Sequence, residues 1–209
     1  SDRPLHEILT YIVERASEVL DSAAGVLYRY DGAQGTVTVE AHCRAPDDLA
    51  GIATLPYGAG IPGSELVGSL AVPDDPLAVS DLDTLVPGPL ERPGAADARI
   101  TPWIACIRRY RALISVPLLV KDEVYGGLSL YYEAARSFSE IEVALAKLFG
   151  DQAALAIENS RLRVQAEKLA VLQERSRLAR DLHDSVTQSL YSLTLMAEAA
   201  RRLAASGDA

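Results

Sequence analysis

The chain has 209 residues, 49% of them hydrophobic and 23% charged, with a formal net charge of −9. That composition belongs to a globular protein of one ordinary domain plus an extension, and its acidity excludes a nucleic-acid backbone as the main partner. No run approaches the ~20 apolar residues that span a bilayer and no signal peptide is visible, so the expected location is the cytoplasm, with any membrane anchor of a longer parent lying upstream.

In chain order, Leu5, Ile8, Leu9, Ile12, Val13, Ala16 and Leu20 form one helical stripe over Leu5–Leu20. Ala24–Tyr30 and Thr36–Cys43 read as a hairpin turned by Asp31–Gly35, with Val37, Val39 and Ala41 alternating with Thr38, Glu40 and His42. From Arg44 to Pro102 the chain is rich in Pro, Gly and Asp. Only a short helix near Gly63–Leu70 and a strand at Leu77–Val79 are expected there, and so long an irregular stretch marks a functional lid. Gly58 and Gly60, followed by Gly63, make a loop too loose for a phosphate cradle.

Trp103–Tyr110 is expected to be helical. Strands at Ala112–Val120 and Val124–Tyr132 follow, joined by the turn Lys121-Asp122-Glu123. Ser139 with Glu142 three residues on forms a capping box. From there to Ala204 no proline occurs and only Gly150 interrupts strong helix formers, a length that implies a coiled coil or helical stalk.

Leu155, Leu162 and Leu169 recur every seven residues, with Leu172, Ala179, Val186 and Leu193 in register, so a parallel dimeric coiled coil is expected. From Leu178 the apolar face broadens through Leu182, Val186, Leu190, Leu193, Ala197 and Ala200, as a four-helix bundle requires. On a 3.6-residue helix His183 sits ~100° from Leu182, at the rim of that face. Asp184 is placed to accept a hydrogen bond from the imidazole, which would leave the other nitrogen free as a nucleophile. Gln188 lies one turn beyond Asp184. Arg175, Arg177 and Arg180 either attract phosphate or, more simply, solvate an exposed face.

Two cysteines, Cys43 and Cys106, make no disulfide framework and read as reduced, part-buried thiols. A redox switch between them is a rival reading. Alternation puts His42 on the polar side of its strand, a surface histidine rather than a haem ligand. No metal site is expected. The chain opens without Met and stops at Ser206-Gly207-Asp208-Ala209, where a helical hairpin would turn, so a piece of a longer protein is expected.

Two stretches carry a family resemblance. Glu174 to Gln188, with its His183-Asp184-x-x-x-Gln188 core, closely resembles the phosphoacceptor helix of sensor histidine kinases of the nitrate-sensor (NarL-partner) class, over about Leu169–Leu203. Tyr110–Leu119, Val124–Leu128, Phe138 and Gln152–Asn159 resemble a GAF sensor domain, over about Leu5–Asn159. The resemblances imply an α+β GAF domain, an antiparallel sheet flanked by helices, followed by a long coiled-coil helix. The implied divisions are residues 1–159 (sensor), 160–174 (signalling linker) and 175–209 (phosphoacceptor helix).

The histidine-kinase resemblance implies a homodimer with His183 as phosphoacceptor, Asp184 as general base and Gln188 positioning water for phosphatase activity. ATP and Mg would act at an ATP-binding domain absent from this chain, and phosphate would pass to a NarL-like response regulator. This chain alone is then expected to be inactive. Its GAF ligand is unknown. Cys106 is followed by Ile107 rather than a histidine, and the asparagine-lysine-phenylalanine signature of cyclic-nucleotide GAF domains is missing. The alternative is a ligand-binding or dimerisation module whose coiled coil feeds a non-catalytic output.

Overall fold

The computed structural model describes residues 4–45, 54–58, 61, 63–84 and 97–206; the side chains of Asp184, Ser189 and residues 203–206 lie outside that description. The chain divides into two units, residues 1–160 and 161–209. The first helix, α1 (Leu5–Val19), buries Leu9, Ile12, Val13 and Ala16, the stripe expected from its periodicity. It closes through Ser22 N–H to the Ser17 carbonyl (3.0 Å), with Asp21 left-handed at φ 49.

Strands β1 (Ala24–Asp31) and β2 (Thr36–Cys43) form the expected hairpin. The Asp31 carboxylate accepts the Ala33 and Gln34 N–H groups at 3.0 and 3.1 Å, a side-chain substitute for backbone turn bonds. β5 (Ala112–Val120) and β6 (Glu123–Tyr132) are joined by only two residues, Lys121 and Asp122, both left-handed at φ 54 and 62. Glu123 therefore belongs to the strand and not to the turn, because a tight primed turn matches the strand twist. With β3 (Leu55–Pro56) and β4 (Leu77–Val79) the strands make one sheet, order β3-β2-β1-β6-β5-β4, antiparallel throughout.

Three further features of the fold depart from the expectations. β3 lies in the stretch read as irregular; its two residues pair with Thr36 and Val37 at the sheet edge, where Pro56 leaves no interior bond unmade. A 3₁₀ turn at Leu82–Thr84 lies there as well. The helix expected at Trp103–Tyr110 runs Thr101–Ile107, because Pro102 is accommodated in its first turn.

Apolar side chains of both sheet faces are buried, giving three layers. On one face α1 and the start of the last helix cover Leu27, Ile114, Val116, Leu128 and Leu130. On the other, α2 (Ser64–Ala71) and α3 (Thr101–Ile107) cover Val26, Tyr28, Leu113 and Tyr131. Ser129 fastens α2 to the sheet, its hydroxyl donating to the Leu70 carbonyl at 2.7 Å and pairing with Ser115 at 3.0 Å. A Cβ at Gly127 would stand 2.3 Å from the Ala71 carbonyl oxygen, so this approach requires glycine.

The last helix, α4 (Glu140–Ser206), is continuous. Gly150 does not break it, because the helix packs so closely on β5 there that a Cβ would meet Val116 at 3.0 Å. At its start the Glu142 carboxylate accepts the Ser139 N–H at 2.8 Å and hydroxyl at 2.9 Å, while Glu142 N–H donates to Ser139 Oγ at 3.3 Å. Those bonds, with Arg136 beside them, hold the Glu142 carboxyl below the usual carboxylate range. A lowered folded value means its stabilisation is complete above the ordinary carboxylate pKa and is lost as pH falls through the lowered one. Glu142→Gln is expected to cost about 1 kcal/mol at neutral pH, the scale of a helix cap. Thermal unfolding should show that difference vanish in acid; a gap independent of pH would contradict the assignment.

Candidate functional site: an exposed helix face around His183

Within unit 161–209 every side chain described is at least partly exposed, including the large apolar ones. At 100° per residue, Leu178, Leu182, Val186, Leu190, Leu193, Ala197 and Ala200 fall within an arc of about 120°. Leu182 is 66% exposed, Leu190 59% and Leu193 62%. An apolar stripe that long does not remain in water unpartnered, because each uncovered leucine forgoes about 1.5–3 kcal/mol of burial.

His183 is exposed at one rim of the stripe, beside Leu190. Asp184 and Gln188 share the far side of the helix at the i,i+4 spacing, and Gln188 is exposed. Consecutive helical positions diverge by ~100°, so positions 183 and 184 stand on different sides of the helix. The Asp184 side chain lies outside the described residues. Arg177 is already paired with Glu174 (2.7 Å) and Asp181 (3.0 Å), and Arg180 donates to the Ser176 carbonyl at 3.3 Å. Such exposed pairs contribute little stability, and they occupy two of the three arginines.

Tyr191 (66% exposed) and Leu195 (54%) form a second apolar patch, on the side bearing Asp184 and Gln188. The seven-residue pattern does not reveal it. The i,i+4 spacing of Tyr191 and Leu195, out of phase with the main stripe, was the available signal.

The sensor region offers a different environment. The sheet face toward the Arg44–Pro102 lid is filled by Trp103, Tyr28 and Tyr131, all fully buried. Trp103 Nε1 donates to Tyr28 Oη at 3.2 Å, and the Tyr28 and Tyr131 hydroxyls are 3.0 Å apart. Burial pushes the Tyr28 hydroxyl up to about 12, so it stays a neutral donor and acceptor. Residues 46–53, 59–60, 62 and 85–96 of the lid, Gly60 among them, lie outside the described residues, as do Gly207, Asp208 and Ala209.

His42 is exposed, but on the other side of the strand from the one alternation predicted. Tyr28 pairs with Val39 and Leu27 with Ala41, leaving Glu40 as a bulge. The extra residue turns His42 to the face of Val37 and Val39, and Ala41 to the opposite face. Cys106 is buried in the lid-side core while Cys43 packs against the α1-side core. The sheet lies between the two thiols, which opposes a disulfide switch within one chain.

Comparison with known proteins bears on both units. Residues 2–158 match the family model of the GAF domain. This chain belongs to the GAF domain family. After the GAF domain, residues 174–209 match the family model described as histidine kinase. The chain is 40% identical over 89 residues to sensor histidine kinase YhcY of Bacillus subtilis (strain 168), covering 43% of this chain and 24% of that protein. It is 33% identical over 84 residues to sensor histidine kinase LiaS of the same organism, 40% of this chain and 21% of that one.

The chain thus spans under a quarter of the length of these curated relatives. The GAF fold also matches the GAF domain from a phosphoenolpyruvate-protein phosphotransferase of Coxiella burnetii, with TM-score 0.57 and 24% identity, over 78% of this chain and 89% of that one. That likeness speaks to fold alone. The chain therefore carries a GAF domain followed by a segment similar to histidine kinases.

Proposed function

We propose that this chain is the sensor and phosphoacceptor portion of a dimeric histidine kinase. His183 takes the γ-phosphoryl group of ATP held by an ATP-binding domain outside the chain and passes it to an aspartate of a response regulator, NarL-like and DNA-binding. Asp184 is the general base: it accepts a hydrogen bond from one ring nitrogen, so the other attacks phosphorus, and it stabilises the developing imidazolium. Gln188 orients water for dephosphorylation of the regulator, and the Tyr191–Leu195 patch beside it suits a docked partner. The observation that carries the reading is one helix bearing exposed His183 and Gln188 at this motif's spacing, within the histidine-kinase match.

Residues 1–159 act as the sensor, 160–174 as a coiled-coil linker and 175–209 as the phosphoacceptor helix, in a homodimer that works in the cytoplasm. The exposed stripe supports the dimer, since a second copy covers it. The kinase reading is tested by incubating a protein that extends through the ATP-binding domain with labelled ATP; base-stable, acid-labile label on His183 supports it. Absence of label from a folded, extended protein would favour a binding module with a non-catalytic output.

Signalling through the linker predicts that insertions near Leu162 act by phase. Seven inserted residues should preserve kinase output while three or four alter it. Equal output at every insertion length, measured by phosphotransfer, would exclude register as the signal.

A further inference from the structure

A recess lies in the GAF unit, at the end of the sheet where β1 begins and β2 and β6 finish. It is an open groove of about 480 Å³. Asp21, Arg44, Glu133 and Arg136 line it, over Ser22 and Tyr132. Arg44, Asp21 and Glu133 have no ion-pair partner among the described residues. Arg136 is paired with Glu142 and stacks on Tyr132 and Phe138, its guanidinium 4.9 and 5.1 Å from their ring centres.

Two further observations mark the groove. Arg44 is held left-handed at φ 53, a conformation costly for a side chain with a Cβ and concentrated at binding sites. Asp21 shares that conformation, but there the closing bonds of α1 account for it. The Ser22 hydroxyl is buried with no hydrogen-bond partner among the described residues, a donor and acceptor that natural structures rarely leave idle.

We propose that this groove is a binding site for a small zwitterion of the α-amino-acid class. A simple anion drawn to Arg44 and Arg136 meets the carboxylates of Asp21 and Glu133, and a simple cation meets the two guanidinium groups. A ligand carrying both charges a few bonds apart satisfies both pairs. Its carboxylate can accept from Arg44 and, after a χ1 turn, from Ser22, while its ammonium faces Asp21 or Glu133. The same carboxylate competes with Glu142 for Arg136, so occupancy loosens the capping box at the start of α4.

The test is an NMR titration of the ¹⁵N-labelled chain with each of the twenty standard α-amino acids, then with the des-amino and decarboxylated analogues of the best binder. At least one amino acid should give saturable shifts at Ser22, Ala23, Arg44 and Arg136. Either analogue should bind at least tenfold more weakly, and Arg44→Gln, a surface change, should weaken the amino acid by about tenfold. Hydrogen exchange over residues 140–146 should quicken on binding. No saturable shift with any amino acid, or equal affinity for an analogue or in Arg44→Gln, overturns the site; unchanged exchange at 140–146 with binding intact overturns the competition.

Discussion

His183→Gln is expected to abolish phosphorylation of a protein carrying the ATP-binding domain, with label falling at least a hundredfold to background. His183 carries the only imidazole among the described side chains of this helix, and it is exposed. The substitution alters an exposed position, where such changes usually shift stability by no more than ~0.5 kcal/mol, so loss of label reports chemistry. Sedimentation should find the variant as dimeric as the parent. Asp184→Asn should retain the label at a rate lower by about 10²–10⁴, the usual contribution of a general base. Label that persists in His183→Gln, or that survives acid, would place the acceptor elsewhere.

Trp103→Ala is expected to be the most damaging single change in the GAF unit. Trp103 is fully buried, sits in α3, and donates to Tyr28 in the core beneath the lid. Truncating a buried tryptophan costs about 3–5 kcal/mol, against a total stability of about 5–15 kcal/mol. The calorimetric transition of this unit should drop by about 10 °C, given ~2–4 °C per kcal/mol at this size. Trp103→Phe should cost far less, since the Tyr28 hydroxyl keeps Tyr131 as partner. A shift below ~2 °C for the alanine variant would mean that this core is loosely packed.

The helices and the central strands were legible from local patterns. α1 shows its buried stripe, Asp31 its turn, and Ser139 with Glu142 the start of α4, because each depends on neighbours within a few residues. The His183-Asp184-x-x-x-Gln188 spacing is legible for the same reason: a helix converts sequence distance into angle without reference to the rest of the fold. The lid was less legible. β3 has only two residues, and no periodicity can show in two; its existence depends on an edge of β2 that lies far away in sequence.

The sequence by itself determined the fold class, the capping of the long helix and the helical spacing of His183, Asp184 and Gln188, since these follow from propensity, period and motif. Tertiary structure alone decided which face His42 occupies, because the Glu40 bulge arises from pairing with β1 and a one-residue shift reverses every later side chain. It also decided that Gly150 is a contact with β5 rather than a break, and that Cys43 and Cys106 are divided by the sheet. It brought Asp21, Arg44, Glu133 and Arg136 to one groove from three separate stretches of chain. Contacts between distant segments form only when the chain closes on itself, and local sequence carries no record of which ones will meet.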